Sequence, residues 1–448
     1  MRRVDFQRLG IIPVLLLLLF TVAAQSPPPK KKVKDFGSSL KRLRWDENKQ
    51  ELVLDKPKSA PGASDQEDVI RIESSLVAWD VLVVDQAGRV IHGLTADDFT
   101  IAEDGIPQTV GHFLLGDNQA VARTIVLIID YSGSQLPYLR KSIDAAKVLV
   151  DSLGPLDRMA IVTDDIELIL DYTDNKQEMK KKLESLIGRT KRDGGFLGLG
   201  KDQQLGKSSQ YSSLMATFNE MFDDQDKRPI IILQTDGDEI YHLRDPVLTY
   251  SLPPDVPDET RQNYGRYALQ RQLWIDEKRT VFSLADLYRT AEKSRATLYT
   301  VIPGPQLVGV DFDVRMERVK ADLIRSREMV LSKLPSDQRK RAEERNEEMW
   351  RPFSPANLKA KTSELYTIQL ALASLALRTG GWNDFLETPD QASAIYSRIL
   401  SDINQRYVIG YYPTNKAHDG TRRIIKVEVK GHPDYILVGR RSYYAPLD

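Results

Sequence analysis

The sequence has no cysteine among its 448 residues. That excludes disulfides, zinc–thiolate centres, a thiol nucleophile and a lipoprotein anchor, which needs a cysteine at its cleavage point. Histidine is also scarce. His92, His112, His242, His418 and His432 are scattered, without the spacing of metal ligands or of a catalytic dyad. Neither charge sign is in excess, because the formal net charge is -1. Bulk charge therefore offers no basis for binding nucleic acid or an anionic membrane. Beyond the first residues, no apolar run approaches the length of a bilayer span. The glycines of 194–200 follow no apolar strand and fit neither G-x-G-x-x-G nor a P-loop, so a surface loop is expected there rather than a phosphate cradle.

What is present starts with an address. Arg2, Arg3 and Arg8 precede the apolar run Ile11 to Val22, and Val22-Ala23-Ala24 ends it with small residues. This pattern predicts a signal peptide over 1–24, hence a periplasmic or secreted protein with no stable transmembrane segment after cleavage. Residues 25–67 hold Pro27-Pro28-Pro29, Lys30-Lys31-Lys32 and few apolar side chains, which predicts a disordered basic linker. From Val69 the texture changes to short alternating apolar runs with turns at Asp85-Gln86-Ala87-Gly88 and Asp104-Gly105. That predicts a small all-β module over 68–118.

Thr124 to Ile129 is a continuous β-branched and apolar run, as in a strand covered on both faces. Leu136, Leu139, Ile143, Ala146, Leu149 and Val150 then recur at helical spacing. Strands over Met159 to Val162, Ile166 to Leu170, Pro229 to Leu233 and Leu298 to Ile302 alternate with helical patterns through Met179–Ile187 and Ser283–Lys293. The alternation predicts an α/β fold with a doubly wound, mostly parallel sheet over 122–410. A highly charged stretch, about 305–360, reads as a projecting helical insertion broken near Pro335. Alternating Ile425, Val427 and Val429 predict a separate C-terminal β extension over 411–448.

In an open α/β sheet, ligands bind beyond the carboxyl ends of the strands. Asp130 stands at such an end, with Ser132 and Ser134 at alternate positions after it; Asp236 ends another strand in Thr235-Asp236-Gly237. One or two carboxylates with hydroxyls form a hard oxygen set suited to magnesium, manganese or calcium. The competing structural explanation is a strand-end turn whose serines cap the next helix. Asp164-Asp165 and Asp238-Glu239 read as solvated acids near strand ends.

Asp130-Tyr131-Ser132-Gly133-Ser134 and the later Thr-Asp-Gly resemble the metal-ion-dependent adhesion site of von Willebrand factor type A domains, a Rossmann-like fold. Gly93-Leu94-Thr95-Ala96-Asp97-Asp98-Phe99, Tyr407-Val408-Ile409-Gly410-Tyr411-Tyr412 and Arg440-Arg441-Ser442-Tyr443-Tyr444 are similar to the flanks of bacterial exported VWFA-related proteins. The resemblance implies metal ligation by Asp130, Ser132, Ser134 and Asp236. It also implies a middle hydroxyl, where the usual threonine is replaced by Ser212 or Ser213 in Ser212-Ser213-Leu214. It further implies a non-enzymatic adhesion or assembly role, with a protein partner supplying an Asp or Glu carboxylate. The alternatives are a metal-assisted hydrolase using the Ser132/Asp236 cluster and a scaffold with a degenerate site.

Overall fold

Arg123–Ile129 (β7) is buried at every position, which is why its sequence shows no polar alternation. It lies inside a six-stranded sheet whose other members are Arg158–Thr163 (β8), Leu168–Thr173 (β9), Arg228–Gln234 (β10), Thr297–Pro303 (β11) and Asn383–Leu386 (β12). In this computed structural model the sheet runs β12-β11-β10-β7-β8-β9. Pairings β12–β11, β11–β10, β10–β7 and β7–β8 are parallel, and β8–β9 is antiparallel. The described residues are 33, 35–49, 51–55, 76–115, 122–192, 208–223, 226, 228–249, 254, 258–332, 335–336, 338–340 and 354–446.

The period of two along β7 divides its side chains between two cores. Ile125, Leu127 and Ile129 pack with helices Leu136–Asp151 (α1), Lys176–Arg192 (α2) and Ala392–Gln405 (α8). Val126 and Ile128 pack with Gln210–Glu220 (α3), Leu284–Lys293 (α5) and Pro355–Arg378 (α7). Helices thus cover both faces of an α/β domain. Burying each aliphatic side chain contributes roughly 1.5–3 kcal/mol, so the two cores dominate its stability.

The strands expected as a separate N-terminal module and a separate C-terminal extension form one structure. Val77–Val84 (β3) and Val110–Leu114 (β6) both pair with Tyr407–Tyr411 (β13), and β3 also pairs with Ile436–Gly439 (β15). Arg422–Val429 (β14) lies between Phe99–Glu103 (β4) and Ser442–Tyr444 (β16), and β4 pairs with Ile106–Gln108 (β5). Two four-stranded antiparallel sheets, β15-β3-β13-β6 and β16-β14-β4-β5, enclose Val81, Val83, Phe99, Ile101, Ile409, Tyr411 and Ile425. The α/β domain is therefore inserted between the two halves of a β-sandwich. Neither half can bury its apolar face without the other. Inside, the Glu103 carboxylate accepts from Arg423 at 3.3 Å and from the Tyr443 hydroxyl at 2.8 Å.

The seam between the units is polar and buried. Arg228 reaches Asp80 at 3.2 Å and donates to the Ile403 carbonyl at 2.8 Å. Arg440 donates to the carbonyls of Glu292 and Ala296.

Two other expectations are corrected. Part of the supposed linker is ordered: Leu43–Asp46 (β1) pairs with Glu51–Leu54 (β2), and Leu43 is buried with Phe36, Leu40 and Leu52 against the α3 side of the core. The backbone amides of Gly37 and Ser39 donate to Glu220 at the end of α3. A few well-placed apolar side chains and one carboxylate anchor suffice, despite the polar composition. The charged insertion does not simply project: Met316, Val319 and Leu323 of Phe312–Ser332 (α6) pack on Leu358, Leu365 and Tyr366 of α7. The stretch expected to be a signal peptide, the glycine-rich stretch and most of the insertion's distal part lie outside the described residues. Among the described residues no helix is long and apolar enough to cross a membrane.

Candidate functional site

The ends of β7, β8 and β10 meet the start of α3 at the carboxyl edge of the parallel sheet. Asp130 follows β7 directly and is fully buried; its amide continues the β7–β10 ladder by donating to the Gln234 carbonyl at 3.1 Å. One carboxylate oxygen, Oδ1, accepts the Ser132 amide at 2.9 Å. The other accepts the Thr235 hydroxyl at 2.8 Å and the Gln210 carboxamide at 3.1 Å. The carboxylate is thereby fixed in orientation. The Ser132 and Ser134 hydroxyls lie 3.1 Å apart, with Ser132 buried and Ser134 exposed. A short 3-10 turn over Gly133–Gln135 leads into α1, where Pro137 occupies a first-turn position that needs no amide donor.

The β10 end supplies the facing wall. Thr235 donates to Asp130 and accepts the Gly237 amide at 3.0 Å, so one hydroxyl joins the two loops. Gly237 sits at φ 73°, where a Cβ would also meet Leu372 at 3.0 Å and the Tyr211 hydroxyl at 3.1 Å. Only glycine turns the chain here without strain. Asp236 and Asp238 flank it, and Glu239 is buried behind them.

The third wall is the start of α3, where both candidate middle hydroxyls are engaged by protein groups. The Ser212 hydroxyl donates to Glu239 Oε1, and its amide donates to Glu239 Oε2 at 2.9 Å. The Ser213 hydroxyl donates to the Thr163 carbonyl at 2.8 Å and accepts the Ile166 amide at 3.0 Å, bracing the β8–β9 turn. The side chain that does enter the cluster is Gln210. Its Nε2 lies 2.8 Å from Asp238 Oδ1, 3.1 Å from Asp130 Oδ2 and 3.5 Å from Asp236 Oδ1. Its Oε1 accepts the Glu239 amide at 3.1 Å.

Of the four acids read as solvated, Asp165 and Asp238 are exposed and the other two are not. Asp164 and Glu239 are buried, and Asp164 Oδ1 accepts the Tyr131 amide at 3.2 Å. Burial, followed by the nearby charge of Asp236, raises the Asp130 carboxyl above the ordinary range. Burial and then Asp130 raise Asp164. Asp238, exposed at its outer edge, is raised by burial of its carboxyl and then by Asp236, with Arg271 opposing. Burial pushes Glu239 up to about 7 against the lowering effect of its bonds to Ser212. The edge thus concentrates negative charge in a setting that disfavours it.

Asp130, Ser132, Ser134 and Asp236 come to one edge, and their hard oxygens fit a divalent cation in kind. The Ser212 hydroxyl is bonded to Glu239 in the neighbouring loop. Among the described residues no group of three or more His, Asp or Glu side chains has the disposition of a metal centre, so hydroxyls and water would have to complete any coordination. Sequence reasoning missed Gln210 and Thr235. Thr235 was visible in the Thr-Asp-Gly motif, whereas nothing in the local pattern marked Gln210.

No protein-family model and no curated protein matches the chain. Among solved structures, it is 13% identical to proximal thread matrix protein 1 from the mussel byssus over 63% of this chain, at a TM-score of 0.30. It spans only 47% of that protein. Similarity to the conserved hypothetical protein BatB from Bacteroides thetaiotaomicron is 14% identity over 62% of this chain and 98% of that one, at a TM-score of 0.30. For the vWF domain of the type V pili tip protein Mfa5 from Porphyromonas gingivalis the values are 13%, 63%, 95% and 0.31. Likenesses of this strength leave the fold to be read from its own topology.

Proposed function

We propose that this chain is an exported, non-enzymatic protein of the VWFA-related kind. Its doubly wound, mostly parallel A-type domain captures a protein partner by an Asp or Glu carboxylate through a divalent ion, magnesium, manganese or calcium. The observation that carries this reading is the meeting of the Asp130 carboxylate, the Ser132–Ser134 hydroxyl pair and Asp236 at the carboxyl edge of β7 and β10. Such an edge is where open α/β sheets take ligands.

Each residue has a part that follows from its surroundings. Asp130 is held by three donors, so its carboxylate is oriented before any ligand arrives. Ser132 and Ser134 present neutral oxygens, which leave a bound cation with net positive charge toward an incoming anion. Asp236 contributes charge from the opposite loop. When bound, the ion supplies a coordination position for the partner's carboxylate. The β-sandwich is joined to the domain through Arg228 and Arg440.

The test is partner capture from envelope extract with magnesium present, compared with excess chelator and with Asp130→Ala. Capture lost in both, with the variant still folded, is the expected result. Undiminished capture in chelator would sink the mechanism. A second reading, a scaffold whose edge takes no ion, is favoured by the Ser212 hydroxyl lying on Glu239 and the Gln210 amide lying among the acids.

A further inference from the structure

Gln210 is fully buried, yet its carboxamide nitrogen is surrounded by carboxylates from two loops. It lies within 3.5 Å of Asp130, Asp236 and Asp238. A carboxamide NH2 has two N–H donors, here closest to Asp238 and Asp130, and bonds to ionised acceptors are the strong ones. Its other end is anchored too, because Oε1 accepts the Glu239 amide. Two of the oxygens it serves, Asp130 Oδ2 and Asp236 Oδ1, belong to the acids that a divalent ion would use. One oxygen cannot serve both a close amide and a cation at full strength. Granting the divalent-ion reading above, we propose that Gln210 is a built-in competitor for the cation, setting how tightly this edge binds a divalent ion.

Two consequences follow from the same contacts. Asp130 and Asp236 would have to release the Gln210 amide in order to hold an ion together. Moving that amide also removes the acceptor of the Glu239 N–H, so ion binding loosens the 3-10 turn Asp238–His242. Removing the amide abolishes the competition. Loss of hydrogen bonds to charged groups is worth about tenfold or more in an equilibrium, which sets the size of the expected gain.

The experiment is calorimetric titration of the full chain with magnesium chloride, and separately with manganese chloride, for wild type, Gln210→Ala and Gln210→Met. The methionine keeps most of the side-chain volume without donors, so it answers if the alanine variant fails to fold. Both variants are expected to bind the ion about tenfold or more tightly than wild type. Thermal unfolding in chelator should place them below wild type, and added magnesium should raise their Tm by more than it raises that of wild type. Hydrogen exchange at the Glu239 amide should quicken in wild type when the ion is added. Equal affinities in all three proteins overturn the competitor role while leaving the divalent-ion reading standing. Absence of any binding in all three overturns both.

Discussion

Glu239→Gln isolates a buried charge. Glu239 is 4% exposed and its carboxyl is pushed up to about 7 from an ordinary 4.5. A carboxyl raised in the folded state binds more protons folded than unfolded between those two values. Its stabilising contribution is complete below about pH 4.5 and is lost as pH rises through about 7. The interval corresponds to roughly 3 kcal/mol as an upper figure. Glutamine is nearly isosteric: its oxygen can accept the Ser212 amide and its nitrogen can donate to the Ser212 hydroxyl. The variant should match wild type near pH 4.5 and exceed its stability at pH 8 by up to roughly 3 kcal/mol. Urea unfolding of both proteins at half-unit steps from pH 4.5 to 8, in chelator, measures the difference. Parallel profiles across that range would refute the reasoning.

Glu103→Ala should be among the most damaging changes in the sandwich, since it takes the nearer of two carboxylates from Arg423, which is 2% exposed, and leaves Asp419 at 3.9 Å. Removing one partner of a buried pair costs up to about 3–5 kcal/mol, less what Asp419 and the Asn415 carbonyl still supply, readable in the urea midpoint. Ser213→Ala should cost about 1–3 kcal/mol through the Thr163 carbonyl and Ile166 amide it serves, yet leave magnesium titration unchanged. Gly381→Ala would bring a Cβ within 1.9 Å of the Leu298 carbonyl oxygen, so β11 or the α7–β12 turn must shift. A clear drop in Tm checks it.

Much of the α/β domain was legible because its strands are covered on both faces. Runs such as Ile230-Ile231-Ile232-Leu233 then carry a signal that no loop or exposed helix mimics. Asp130 and its serines were legible for a related reason: a strand end followed by an amphipathic helix fixes where the loop must lie. The α3 wall was not. Gln210 and Ser212 are two residues apart on a helix, about 200° around its axis. Spacing alone could not tell which of them faces the strand ends. The amide took the cluster, and the hydroxyl went to Glu239. The sandwich escaped for another reason. The alternation of β14 was visible, with Arg423, Ile425 and Val429 turned inward, but its partner β4 lies far earlier in the chain. Local periodicity reports which face is buried and says nothing of which strand covers it. The ordered hairpin at β1 and β2 was hidden by composition, since its few apolar residues matter through where they land.

The central claim is that the edge formed by Asp130, Ser132, Ser134 and Asp236 takes a divalent ion. Calorimetric titration of the intact chain with magnesium, beside Asp130→Asn, tests it most directly. Saturable binding by wild type at one site, lost in the variant while its unfolding transition stays cooperative, is the predicted result. No heat from wild type with magnesium, manganese or calcium, or equal binding by Asp130→Asn, would contradict it.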